Sequence, residues 1–176
     1  THGRVASDGV MPLSRSLDVI GWFTRDAELF AAVGSVLLQD FAAAASTGKF
    51  LVTEDLLALL DDRTRDALTA AIDKVAGLLG VPELVRVADN APVADLDAWG
   101  LTARTIWGRE AWAEHGEWMT SERPKLGSGV AARFEARARV TAEEAAEALI
   151  RRDRISVYLD DLLADGGVIA LPAAPG

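Results

Sequence analysis

Apolar residues recur at helical spacing in five stretches of this chain and form short continuous runs in three more. The clearest helical stretch is 61–79, where Leu68, Ala71, Ile72, Val75, Leu78 and Leu79 share one face. Gly80 and Pro82 follow at once, a glycine suited to left-handed backbone and a proline that cannot continue a helix. A second helix is predicted from Thr24 as N-cap, with Asp26 and Glu28 in its first turn. Its stripe is Leu29, Phe30, Val33, Val36 and Leu37. Residues 95–120 read as a third helix, ended by Pro124 and Gly127, and a fourth is expected over 129–139 with Ser128 as its cap. The fifth, 141–165, opens on a capping box of Thr141 with Glu144, in which each side chain serves the other's free amide. Its stripe is Ala145, Leu149, Ile155, Leu159 and Leu162, and Gly166-Gly167 stops it.

The run 50–53 is short, apolar and partly β-branched, and with 84–88 and 168–171 it gives three predicted strands. Strand, helix and strand between residues 50 and 88 have the spacing of a βαβ crossover, which favours parallel pairing. The expected class is therefore α/β, a mixed or parallel sheet flanked by several α-helices.

Composition narrows the function classes. The 176 residues carry a net charge of −9, which argues against nonspecific binding to nucleic acid or to anionic lipid. The absence of cysteine excludes disulfides, thiolate metal sites and a cysteine nucleophile, and it fits a reducing cytoplasm. No run approaches the roughly 20 apolar residues of a membrane helix, and no basic-then-apolar leader is present. Cytoplasmic residence without a membrane or nucleic-acid partner is the expectation.

Residues 1–21, where Gly, Pro and Ser recur, read as extended chain and turns. The positions Gly3-Arg4-Val5, Gly9, Pro12, Ser16, Asp18, Gly21 and Arg25 resemble a segment of the amidase signature family. Two weaker likenesses accompany it: Glu110-Ala111-Trp112 with His115-Gly116 and Trp118, and the closing run from Ala170 to Gly176, where Ala173 stands in place of a common Thr. The resemblance implies that residues 1–176 are the C-terminal portion of a single amidase domain, a partial amidase-signature fold beginning after the catalytic motif. It implies an enzyme that hydrolyses a small-molecule amide to a carboxylic acid and ammonia or amine through an acyl-serine intermediate. Such enzymes use a Ser nucleophile, a second Ser in a cis peptide and a Lys base, and no cofactor. None of this maps here. The lysines are Lys49, Lys74 and Lys125, and no serine lies in a Gly-Gly-Ser or Ser-Ser pattern. No catalytic, cofactor-binding or metal-ligating residue is therefore assigned, and the chain alone is expected to be inactive. The alternative is a non-catalytic helical interaction module or a degenerate relative. A tRNA-directed member of the family fits the acidic balance less well.

Individual candidates have bland readings. His2 and His115 lack a nucleophile motif beside them and read as structural or surface residues. Asp18, with Ser14 and Ser16, is expected to bond backbone amides in a turn, or less readily to shape a site wall. Trp99, Trp107, Trp112 and Trp118 could line an apolar pocket or pack helices, and packing is the favoured reading. Arg133, Arg137, Arg139, Arg151, Arg152 and Arg154 alternate with Glu135, Glu143, Glu144, Glu147 and Asp153, the pattern of a solvated face with i,i+4 pairs. Strands at 50, 84 and 168 would lack neighbours if the middle of the sheet lies elsewhere, so homo-oligomers or poor solubility are expected.

Overall fold

The computed structural model describes residues 3–38, 48–93 and 95–174. In chain order its elements are α1 (Ala27–Leu37), β1 (Phe50–Thr53), α2 (Glu54–Leu57), α3 (Asp62–Leu79), β2 (Glu83–Val85), α4 (Leu96–Glu122), α5 (Ser128–Arg137), α6 (Ala142–Leu162), a short 3₁₀ turn (Ala164–Gly166) and β3 (Val168–Ala170). The chain is α/β, as the pattern predicted. It divides into two compact units, Thr1–Ala43 with Thr102–Leu149, and Ala44–Leu101 with Ile150–Gly176.

The second unit holds the sheet, ordered β2-β1-β3 with β1 parallel to both neighbours. Val52 pairs with Leu84 on one side and Ala170 on the other. All four residues of β1 are buried, as a central parallel strand covered on both faces requires. Phe50 and Val52 meet Ile72 of α3, and Leu57, Leu68, Ala76, Leu79 and Ala170 close around them. The βαβ crossover read from spacing is thus present, with α3 as its helix.

Local chemistry explains where elements begin and end. At α3, Asp61 accepts from the Thr64 amide at 2.8 Å, and Gly80 ends the helix at φ 96°, where a side chain would be strained. β2 stops at Val85, short of the predicted residue 88, because the Ala88 amide donates to the Asp55 carboxylate at 2.7 Å instead of to a strand. Asp55 is buried and also accepts from Leu56 at 3.1 Å, so the short helix α2, which the pattern missed, carries the brace that ends β2. Next to it in the same unit, burial and the Asp55 charge push the Tyr158 hydroxyl pKa up. Predicted strand 168–171 is observed as Val168–Ala170.

Other boundaries move by a residue or more. α1 starts after Asp26 rather than Thr24, because Asp26 accepts from the Leu29 amide at 2.7 Å while the Thr24 hydroxyl donates to the Asp26 carbonyl. Its expected apolar stripe is not core: Phe30 is 48% and Val36 82% exposed. Ser128 is the first residue of α5 and not its cap; Gly127 takes the cap position with no side-chain bond, and the helix closes at Arg137. α6 has the predicted capping box, with the Thr141 amide 2.8 Å from Glu144 Oε2 and the Glu144 amide 3.2 Å from Thr141 Oγ1. Those bonds hold the Glu144 carboxyl below its usual range. α6 ends at Leu162, and Asp165, at φ 60°, turns the chain toward β3. Ala145, Ala148 and Ile155 are its buried residues, whereas Leu149 faces outward.

Gly48 shows how tightly this turn is joined to the sheet. Its amide donates to the Gly166 carbonyl at 3.0 Å, and the Val168 amide donates to Lys49 at 2.8 Å. A Cβ on Gly48 would fall 2.6 Å from the Asp165 carbonyl oxygen and 2.9 Å from the Gly167 nitrogen, both backbone atoms. Gly48→Ala should therefore lower stability by about 1–3 kcal/mol in urea denaturation. An unchanged midpoint would show that the turn shifts freely.

Candidate functional site

The first unit presents the segment that carries the amidase-like positions. The described residues before Ala27 form no helix or strand, so their backbone N–H and C=O groups must be met by other polar contacts. The Asp18 carboxylate closes a turn on itself, accepting from the Leu13 and Ser14 amides at 2.7 and 2.9 Å. The Leu17 and Asp18 amides both reach the Ser14 carbonyl, at 2.9 and 2.7 Å. This is the backbone-bonding role expected of Asp18.

α4 then grips the turn with one face. Glu110 and Glu114 are four residues apart, hence neighbours on the helix surface, and His115 follows. Glu110 Oε2 accepts the Ser14 hydroxyl at 2.7 Å and the Ser16 amide at 3.0 Å. Glu114 meets the Arg15 guanidinium fork-to-fork, through Nε and through Nη2, the latter at 2.9 Å. Arg15 in turn holds the Glu114 carboxyl below its usual value, and Glu114 raises the Arg15 pKa. His115 Nε2 lies 2.8 Å from the Pro12 carbonyl oxygen. A carbonyl only accepts, so that nitrogen carries the proton. Residues 12–16 are thereby fixed to a little over one turn of α4.

The opening run encloses a recess of about 450 Å³ lined by Gly3, Val5, Met11, Pro12, Arg15 and Asp18 among others. Four of the family-like positions, Gly3, Val5, Pro12 and Asp18, thus face one cavity. Arg25 does not; it lies exposed beside Asp26 at 3.4 Å. His2 lies outside the described residues. His115 is a structural donor. The Ser14–Glu110 contact has the reach of a nucleophile–base pair, but Ser14 is fully buried and its hydroxyl is committed to the latch. Ser16 Oγ is buried with no hydrogen-bond partner among the described residues. No group of three or more His, Asp or Glu among the described residues could hold a metal ion.

The tryptophans have different surroundings. Trp99 donates to the Val93 carbonyl at 2.6 Å in the second unit. In the first, Trp107 underlies Arg137, Trp112 folds back over Gly116, and Trp118 is 48% exposed. A Cβ on Gly116 would lie 2.7 Å from the Trp112 ring, so glycine there makes room for the indole. Among the interleaved charges, Arg152 meets Asp153 at 3.1 Å, and Arg133 bonds its own helix at the Gly129 carbonyl. Glu110 and Glu114 were not read as anchors; their signal was two glutamates at i,i+4 beside a histidine.

No family model matches the sequence. Amidase 1 of Arabidopsis thaliana is 25% identical over 202 residues, covering 100% of this chain and 48% of its own length. Amidase 1 of Oryza sativa subsp. japonica is 28% identical over 200 residues, with 100% and 46% covered. The chain is thus similar to plant amidases along its whole length. Outer envelope protein 64, chloroplastic, of Arabidopsis thaliana is as similar, 27% identical over 199 residues, covering 99% of this chain and 33% of that protein. The chain spans between a third and a half of the length of these relatives. Its likeness runs through the opening turn, α4 and the closing strand alike.

Two predictions follow from the latch. Ser14→Ala should destabilise the protein by about 1.5–3 kcal/mol, the worth of a hydrogen bond to a charged group, whereas Ser16→Ala removes an unpartnered hydroxyl and should be neutral or stabilising in the same melt. Equal losses in both would show that the hydroxyls matter only through packing. The Glu114 carboxyl titrates lower when folded, so its contribution is complete above the unfolded value of about 4.3 and disappears as pH falls through the folded one. Carboxyl NMR titration should place Glu114 below the usual range, and Arg15→Gln should return it upward.

Proposed function

We propose that this chain is part of an amide-bond hydrolase, in which it supplies a wall of the substrate site rather than the nucleophile. The observation that carries the reading is the latched turn: amidase-like positions Gly3, Pro12 and Asp18 share one recess, held rigid by Glu110, Glu114 and His115. A wall fixed this way orients a bound amide for attack by groups elsewhere in a longer polypeptide. The Ser and Lys that the family resemblance implies have no counterpart within these residues. The reaction is addition of water across a carbon–nitrogen amide bond through an acyl-serine, giving a carboxylic acid and ammonia or amine.

The envelope-protein relative favours a second reading, a non-catalytic interaction module on the same scaffold. No helix among the described residues is long and apolar enough to cross a membrane.

Ammonia release from phenylacetamide separates the two. The 176-residue chain alone should release none. A longer polypeptide that joins it to the Gly/Ser-rich loop and the Lys should turn the amide over, and Asp18→Ala within it should lower kcat/KM by on the order of 10–100-fold by loosening the wall. A longer polypeptide that folds, carries those groups and leaves several simple amides intact would favour the interaction module.

A further inference from the structure

α5 and the residues just after it carry three arginines, Arg133, Arg137 and Arg139, against one carboxylate, Glu135. Within a chain of net charge −9 this is a cationic island. Arg137 is its unusual member. Its guanidinium carbon lies 4.0 Å from the Trp107 ring centroid and 4.8 Å from that of Phe134. Two rings therefore hold the plane of the cation, and its alkyl stem rests where Gly108 of α4 leaves space, 3.5 Å from the position of a Cβ there. Phe134 is itself braced edge-on by His115, centroids 6.2 Å apart.

Ring stacking satisfies the faces of a guanidinium but not its edge, where five N–H donors lie in a fixed fork. Neither Arg137 nor Arg139 has a hydrogen-bond acceptor or a carboxylate partner among the described residues. Burial and the neighbouring Arg133 act against the Arg137 charge, lowering its pKa. The C-terminal end of α5 offers partial compensation, since helix carbonyls favour a cation there. A half-buried cation so placed gains from a fitted anion, and no group among the described residues fills that role.

Phe134 has a second neighbourhood. With Trp112, Met119, Glu135, Ala138 and Arg139 it lines a recess of about 440 Å³, mainly apolar apart from its two charged rim residues. The stacked arginine and the apolar recess thus meet at one ring. We propose that this corner of α4 and α5 is a binding site for a small amphipathic carboxylate, whose acid head takes the Arg137 fork with Arg139 beside it and whose apolar body lies on Trp112, Met119 and Phe134. Bidentate pairing suits a carboxylate, and the apolar lining selects against a bare inorganic anion. Glu135 on the rim disfavours a second acidic group, so a monocarboxylate fits better than a dicarboxylate. The site is independent of the recess in the opening run.

The test titrates the whole chain with decanoate, followed by calorimetry and by the indole N–H resonances of Trp107 and Trp112. Decan-1-ol supplies the body without the charge, and inorganic phosphate the charge without the body. Saturable decanoate binding that shifts both indoles is expected, weakened about tenfold or more by Arg137→Gln and in decan-1-ol. Arg137→Lys, which keeps charge and stem but not the fork, should lose part of the affinity, and Arg63→Gln on α3 none. Circular dichroism checks each fold; if Arg137→Gln is unfolded, Arg137→Lys and Arg139→Gln decide. Equal affinity for decanoate and decan-1-ol, tight phosphate binding without an indole shift at Trp112, or decanoate affinity indifferent to these variants would overturn the proposal. Binding to anionic phospholipid vesicles with none to monomeric decanoate would overturn it too, in favour of a lipid surface.

Discussion

The carboxylate of Glu110 is the interaction on which the opening run depends. It accepts both the Ser14 hydroxyl and the Ser16 amide, and so converts a flexible peptide into part of a helix-bound surface. Ordering each residue costs roughly 1–2 kcal/mol of backbone entropy, and because Val10, Met11, Val19 and Phe23 stay exposed their burial offsets little of it. Hydrogen bonds to a charged acceptor, at about 1.5–3 kcal/mol each, are the strongest remaining term. The Arg15–Glu114 fork contributes less, because Arg15 is 70% exposed and water screens the pair. Its value is geometric: with His115 on Pro12 it fixes register, so Asp18 and Pro12 face the same recess.

The sheet obeys a different constraint. A central parallel strand has no polar face, and β1 accordingly reads Phe-Leu-Val-Thr with every residue buried. Its single hydroxyl, on Thr53, is accommodated by donating to the Ala170 carbonyl at 3.3 Å. The flanking strands are less covered, Leu84 being 59% and Val168 36% exposed. Asp55 limits the exposed edge, since it takes the Ala88 amide that would otherwise extend β2. A buried carboxylate is tolerable there because two backbone amides satisfy it.

What could be read from sequence was what is local. The strand 50–53, the helix ending at Gly80 and the Thr141–Glu144 box all depend on residues within a few positions of one another, and each is present. The N-cap of α1 was misread because Thr24 and Asp26 are both good caps, and only the hydroxyl's own bond to the Asp26 carbonyl decides between them. The α1 stripe has the right period, yet Val36 and Phe30 remain exposed; periodicity shows that a helix has an apolar face, not that anything covers it. The latch was illegible for a plainer reason. Ser14 and Glu110 are 96 residues apart, and nothing in either neighbourhood marks the other.

That long-range latch also bears on why amidases and an envelope protein can share this scaffold. Its members are used up structurally: Ser14 is buried, Asp18 holds two amides, and His115 holds a carbonyl. A group whose lone pairs and protons are committed to the fold cannot also move a substrate proton without loosening that fold. Chemistry on such a scaffold must come from other residues, and its loss would leave the latch, the recess and the sheet unchanged. Selection for packing alone would then keep this turn whether or not a molecule that contains it is catalytic. Similarity over these residues accordingly follows the architecture and does not by itself assign a reaction.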